Sequence, residues 1–124
     1  MNPGLKDTAR DFLTLCASGR AHEAFPKHVS PQFRHHNPWF AGDAATLMTA
    51  MDDNAAKNPH KTFEILRTLE DGDLVAAHSR VCMQPGQADH AVVHLFRFDG
   101  DRIVELWDIG QQAPETSANR NGMF

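Results

Sequence analysis

The spacing of the apolar residues changes once along this chain, and that change restricts the fold more than any other feature. In the first half, Leu5, Ala9, Phe12, Leu13 and Cys16 recur at helical spacing until Gly19, and Leu47, Met51 and Ala55 form a second stripe that Asn58-Pro59 ends. Asn2 and Pro3 read as the cap and opening of the first helix, and Asp43 as the N-cap of the later one. Between them, a short helical turn over Ala21 to Phe25 is ended by Pro26, and Ser30-Pro31 marks a loop before the polar-aromatic stretch Phe33 to Phe40. From Thr62 onward the period becomes two. Phe63, Ile65, Arg67 and Leu69 alternate with their neighbours, Asp71-Gly72 turns the chain, and Leu74 to Met83 continues as a second strand. Gln84-Pro85-Gly86-Gln87 is a turn, Ala91 to Phe98 a third strand, Asp99-Gly100-Asp101 a hairpin, and Arg102 to Ile109 a fourth strand.

Helices first and a meander of strands second is the segregated α+β pattern, as opposed to the alternation that builds a parallel sheet. Long strands twist and curl, so the expected architecture is a curved antiparallel sheet wrapped around N-terminal helices, with a cavity between its concave side and a helix. At 124 residues the chain suits one domain spanning 1–124, because two cores would each be too small.

Composition narrows the function classes. A formal charge of −4 with acids and bases interspersed offers no basic face for phosphates, so nucleic acid is not an expected partner. No apolar run reaches membrane-spanning length, and the opening Met1 to Asp7 lacks the apolar stretch of a secretory signal, so no membrane association and a cytoplasmic location are expected. Cys16 on a helix stripe and Cys82 in a strand read as small unpaired thiols. The chain has no Tyr, so any side-chain donor in a pocket must come from other residue types.

The last two strands carry the chemistry. Alternation places Val92, His94, Phe96 and Phe98 on one face of the third strand, and Val104, Leu106, Asp108 and Gly110 on one face of the fourth. If the Asp99-Gly100-Asp101 turn sets an even register, these two sets share a face and His94 lies beside Asp108 or one diagonal away; an odd register separates them. Asp is depleted in strands and seldom buried alone. Asp108 within Ile-Val-Glu-Leu-Trp-Asp-Ile is therefore either a carboxylate placed in an apolar cavity for proton transfer or a structural partner of His94.

His35-His36-Asn37-Pro38, the run Val92 to Asp108 with its Glu-Leu-Trp-Asp ending, and the closing Asn121-Gly122-Met123-Phe124 resemble the SnoaL-like polyketide cyclase family of the nuclear transport factor two-like superfamily. The resemblance covers nearly the whole chain. It implies a cone-shaped, cystatin-like α+β barrel that is often dimeric through its sheet, with a deep pocket and no metal. It also implies a strand aspartate acting as acid and base in an intramolecular aldol closure, at the position of Asp108, and a histidine at that of His94. Related folds host isomerases, epoxide hydrolases and pure binding modules, so fold alone does not decide the reaction.

The expected activity is thus cofactor-independent acid/base chemistry, an aldol-type cyclisation or a proton transfer, on a small hydrophobic carbonyl compound. Asp108 and His94 are the candidate catalytic residues, and His36, Trp39, His78, Phe96 and Leu106 the candidate substrate-binding ones. The competing expectations are a non-catalytic binding or dimerisation module and an isomerase or hydrolase of the same fold. His35 and His36 are adjacent, so only one can face a pocket: His36 is the candidate, against a reading in which both rings flank a solvated turn. Trp39 and Phe40 form a lip at the pocket mouth or pack on the core. His78 lines the cavity or faces outward toward a dimer contact. Eight histidines raise the question of a metal, but no close ligand motif accompanies them, and no metal is expected. The apolar Met123-Phe124 suggests a tail that folds back over the pocket or a neighbouring subunit.

Overall fold

The structure, a computed structural model, describes residues 4–124. Asn2 and Pro3, expected to cap and open the first helix, lie outside the described residues. The elements are α1 (Leu5–Ala17), α2 (Ala21–His28), β1 (Val29–His35), α3 (Ala44–Lys57), β2 (Thr62–Asp71), β3 (Leu74–Cys82), β4 (His90–Asp99) and β5 (Arg102–Gln112). Asp43 caps α3 as its position suggests, its carboxylate accepting from the Thr46 backbone N–H at 2.9 Å. For α2 the cap comes from elsewhere: Asp52 of α3 accepts from the backbone N–H groups of Ala21 and His22 at 2.7 and 3.2 Å. That contact ties the two helices together.

Two local expectations are overturned. Pro26 lies inside α2 instead of ending it. Proline forfeits one backbone hydrogen bond there, and the helix continues because Phe25 packs on Phe12 and Phe33 while His28 bonds Asp11 at 2.6 Å. The stretch beginning at Ser30-Pro31 is strand β1, where a loop was expected. β1 is an edge strand with an irregular register between Val29 and Arg34, and Pro31 lies within that irregular segment, where a missing ladder N–H is tolerated.

The sheet order is β1-β5-β4-β3-β2. Four strands form the expected antiparallel meander, but β1 pairs with β5 in parallel, so the sheet is mixed and open and does not close as a barrel. The crossover from β1 to β5 passes through α3 and the whole meander, a connection that local periodicity does not register. Helices pack on one sheet face around Phe12, Leu13, Phe25, Leu47, Val75, Phe96, Ile103 and Leu106. Phe12 meets Phe96 edge-on at 5.8 Å, joining α1 to the centre of the sheet.

The β4–β5 hairpin has an even register over its site-bearing half: His94 opposes Asp108 and Phe96 opposes Leu106. A bulge between Arg97 and Phe98 then brings Ile103, and not Val104, opposite Phe98. Gly72 and Gly100 occupy the first central positions of the two tight hairpins with φ of 61° and 62°, a conformation that side-chain-bearing residues resist. A Cβ at Gly100 would meet nothing within 4 Å, so substitution there acts through the backbone alone. Gly100→Ala is expected to lower stability by about 1 kcal/mol without loss of the fold, as read from urea unfolding.

Candidate functional site

β5 carries Asp108 into the wall of a cavity of about 220 Å³ between α1, α3 and the sheet. Its apolar walls come from Leu13, Cys16, Phe40, Leu47, Met51, Phe63 and Met83, and its polar groups are Asn37, Asn54, Lys61 and Asp108. Asp108 is half-buried, and its Oδ2 accepts from the Asn37 side-chain amide at 2.9 Å. Among the described residues Asn37 is the only side chain hydrogen-bonded to that carboxylate. The parallel pairing explains the contact. Arg34 opposes Glu105 and His35 opposes Leu106, so the chain leaving β1 brings Asn37 alongside Asp108. Asn37 Oδ1 in turn accepts from the Trp39 backbone N–H at 2.9 Å, which fixes the amide's orientation.

His94 is the cross-strand neighbour of Asp108, as an even register requires, and the two side chains form no hydrogen bond. The His94 ring is buried between Phe63 and Phe96, and its Nδ1 has no hydrogen-bond partner among the described residues. Burial drives the imidazole down to about 4, against the opposing pull of the Asp108 charge, so the ring is neutral at pH 7.

The remaining sequence candidates divide. Phe96 and Leu106 are core residues beneath the site and do not line the cavity. His36 points to the opposite sheet face, where its ring stacks on Trp107 at 4.9 Å and its Nε2–H donates to Glu105 at 2.6 Å. The inward-facing member of the pair is His35, but its Nε2–H donates to the Ala41 carbonyl and its Nδ1 accepts from the Asn37 N–H, leaving neither nitrogen for a ligand. Trp39 is 84% exposed in a turn, and Phe40 contributes the apolar wall instead. His78 also lies on the outer face, because Ala77 and Ser79 take the buried side of β3; its ring neighbours Arg67 and Phe124. The tail accordingly packs on the outer face, with Phe124 under the Arg80 guanidinium at 5.0 Å, and does not cover the cavity.

Residues the sequence did not single out include Asn37, read only as part of a turn motif, and Asn54 and Lys61. Polar residues at a helix C-terminus and before a strand look like ordinary surface, and only the packing of α1 against both α3 and β2 encloses the cavity they line. Cys16 lines the wall as a neutral thiol, since burial pushes it up to about 12. Both cysteines are free. Among the described residues no group of three or more His, Cys, Asp or Glu side chains is arranged to hold a metal ion.

On the outer face, Glu105 is buried and accepts from Arg34, His36 and Arg97 at 2.6 to 3.0 Å. These hydrogen bonds, with Arg34 foremost, hold its carboxyl down to about 2. The clamp joins β1, β5 and β4 directly behind the site.

Comparison with known proteins agrees with this architecture. Residues 9–106 match the model of the SnoaL-like domain. The chain belongs to the SnoaL-like family. Among solved structures, it is similar to IdmH, a candidate polyketide cyclase from Streptomyces antibioticus (19% identity, 87% of this chain and 92% of that one, TM-score 0.71). It is similar also to a nuclear transport factor two-like protein of unknown function from Cytophaga hutchinsonii (15%, 90% and 93%, TM-score 0.72) and to a candidate ketosteroid isomerase from Kribbella flavida (18%, 94% and 84%, TM-score 0.69). No curated protein sequence matches significantly. At these identities the SnoaL-like chain shares a fold with its neighbours and nothing finer. No described helix is long and apolar enough to cross a membrane.

The depressed titration of His94 has a sign that can be measured. Between its ordinary value of 6.5 and about 4 the unfolded chain binds a proton that the native ring refuses, so this contribution to stability is whole above pH 6.5 and lost as pH falls toward 4. His94→Leu, followed by urea unfolding from pH 7 to pH 4, is expected to lose roughly 2–3 kcal/mol less than the unmodified protein over that range.

Proposed function

We propose that this SnoaL-like protein is a cofactor-independent acid/base enzyme acting on a small hydrophobic carbonyl compound, with Asp108 as the proton-transfer group. The observation that carries the reading is a carboxylate set in a mostly apolar cavity, with one oxygen held by Asn37 and no cationic partner among the described residues. Such a carboxylate can take a proton from a carbon next to a carbonyl, leaving an enolate. The enolate carbon then attacks a second carbonyl, a carbon–carbon bond forms, and the resulting alkoxide recovers the proton from the Asp108 carboxyl. Without a second carbonyl in reach, reprotonation at another carbon gives an isomerisation. A cavity of about 220 Å³ suits a body of one or two rings.

Asn37 is the positioning residue in this scheme. His94, neutral and beneath the strand, supports Asp108 through packing and is not a proton donor to the substrate. His36, Trp39 and His78 take no part, because they face away from the cavity. The bland alternative is a binding module of the same fold, favoured because among the described residues no titrating side chain is hydrogen-bonded to Asp108.

One experiment separates the two. Deuterium uptake at the carbon α to the carbonyl of 1-tetralone is expected to be accelerated by the protein in D₂O, as followed by proton NMR, and to fall by ~10²-fold or more in Asp108→Asn. Full activity in that variant removes Asp108 from the reaction, and no acceleration by the unmodified protein shifts the reading to the binding module.

The outer face also supports a homodimer. Val93 and Ile109 are cross-strand partners exposed there, Ile109 at 62%, in the part of the sheet beside the Glu105 clamp. Light scattering coupled to gel filtration is expected to give twice the chain mass, and Ile109→Glu to give the single chain. A monomeric unmodified protein overturns the dimer.

A further inference from the structure

The cavity holds one charge that the acid/base reading leaves unused. Lys61 lies just before β2 and lines the cavity beside α3, where its Nζ donates to the Asn54 side-chain carbonyl at 2.9 Å. It is half-buried, and among the described residues it makes no ion pair. The neighbouring acid, Asp52, is engaged with His22 and the start of α2, and Cys16 is a neutral thiol. An ammonium with a single neutral partner in an apolar wall lacks the anion that would offset its desolvation.

We infer that Lys61 recognises an anionic group of the ligand, so that the compound bound by this cavity is a keto acid whose carboxylate meets Lys61 while its carbonyl end lies at Asp108. The inference rests on the cavity and on the Asp108 reading, and goes beyond it by naming the substrate class. Sheet geometry supports the division of labour. Asp108 is on β5 and Lys61 precedes β2, three strands away, and the ladders align Asp108 with Thr68, seven residues beyond Lys61, so the two line the same cavity from different parts of the sheet. Among the described residues the two groups make no ion pair with each other, and as separate walls of one cavity they are placed for the two ends of one molecule. Burial draws the lysine below its ordinary value, and a carboxylate beside it would reverse that effect.

Position supports specificity as well. Ala17, Lys61 and Phe63 also line an adjoining surface groove of about 690 Å³, so Lys61 stands at the boundary between cavity and groove. An apolar body can enter past it, and an anionic end is retained there. Neutral carbonyl compounds of the same shape would gain nothing from this contact.

The test compares 4-oxo-4-phenylbutanoate with its methyl ester by isothermal titration. The unmodified protein is expected to bind the acid at least ~10-fold more tightly than the ester, about 1.4 kcal/mol. In Lys61→Met this preference should fall to within about twofold, with ester affinity kept, whereas Lys61→Arg should retain it. Thermal unfolding of each variant shows whether the fold is intact, and the acid-to-ester ratio of the unmodified protein needs no variant. Equal affinities, no binding of either compound, or a preference that survives Lys61→Met would each overturn the inference. Deuterium uptake fails independently: if Asp108→Asn abolishes exchange while acid and ester bind alike, only the lysine assignment is lost.

Discussion

Strand β5 is paired on both sides, and the site depends on that double pairing. On one side the antiparallel ladder to β4 sets His94 against Asp108; on the other the parallel ladder to β1 brings Asn37 to the same carboxylate. A slip of one residue in either ladder would turn Asp108 to the outer face or remove its amide partner. The Glu105 clamp resists such a slip, because Arg34 of β1 and Arg97 of β4 both reach one buried carboxylate on the strand between them. Its geometry requires the register in which Arg34 opposes Glu105, and that is the register that aligns Asn37.

The two faces of β5 therefore carry different work from adjacent residues. Glu105 and Trp107 face outward into a charged and stacked surface, and Leu106 and Asp108 face the helices. The inner face tolerates polar groups at a cost. Among the described residues His94 Nδ1 and Ser79 Oγ are both buried without hydrogen-bond partners, a penalty of about 1–3 kcal/mol each. The packing of Phe96 against Phe12 and the His94 ring holds this part of the sheet in place.

Much of this was readable from residues. The change of period located α1, α3 and the four strands of the meander, and Asp43, Asp71-Gly72 and Asp99-Gly100 marked their ends. The register of the last hairpin stayed open in the sequence, because the two-residue turn alone would set Trp107 opposite His94 and only the bulge between Arg97 and Phe98 brings Asp108 there. β1 escaped because Ser30-Pro31 is a loop signal locally, and an edge strand can absorb a proline that a central strand could not. The reading of His36 failed for a related reason: adjacent side chains in a strand must part, but which one faces inward depends on a parallel neighbour seventy residues away.

By itself, the sequence determined what short-range physics controls: helix stripes, strand alternation, hairpin turns, and an aspartate embedded where the pattern calls for an apolar residue. Those features follow from backbone period and side-chain polarity within a few residues. The tertiary structure decided which groups meet that aspartate. Asn37 reaches it through a parallel pairing, His94 is buried away from hydrogen bonding, and Lys61 joins the cavity only because α1 packs against both α3 and β2. These are long-range contacts fixed by register and helix packing, and no local pattern of residues encodes them.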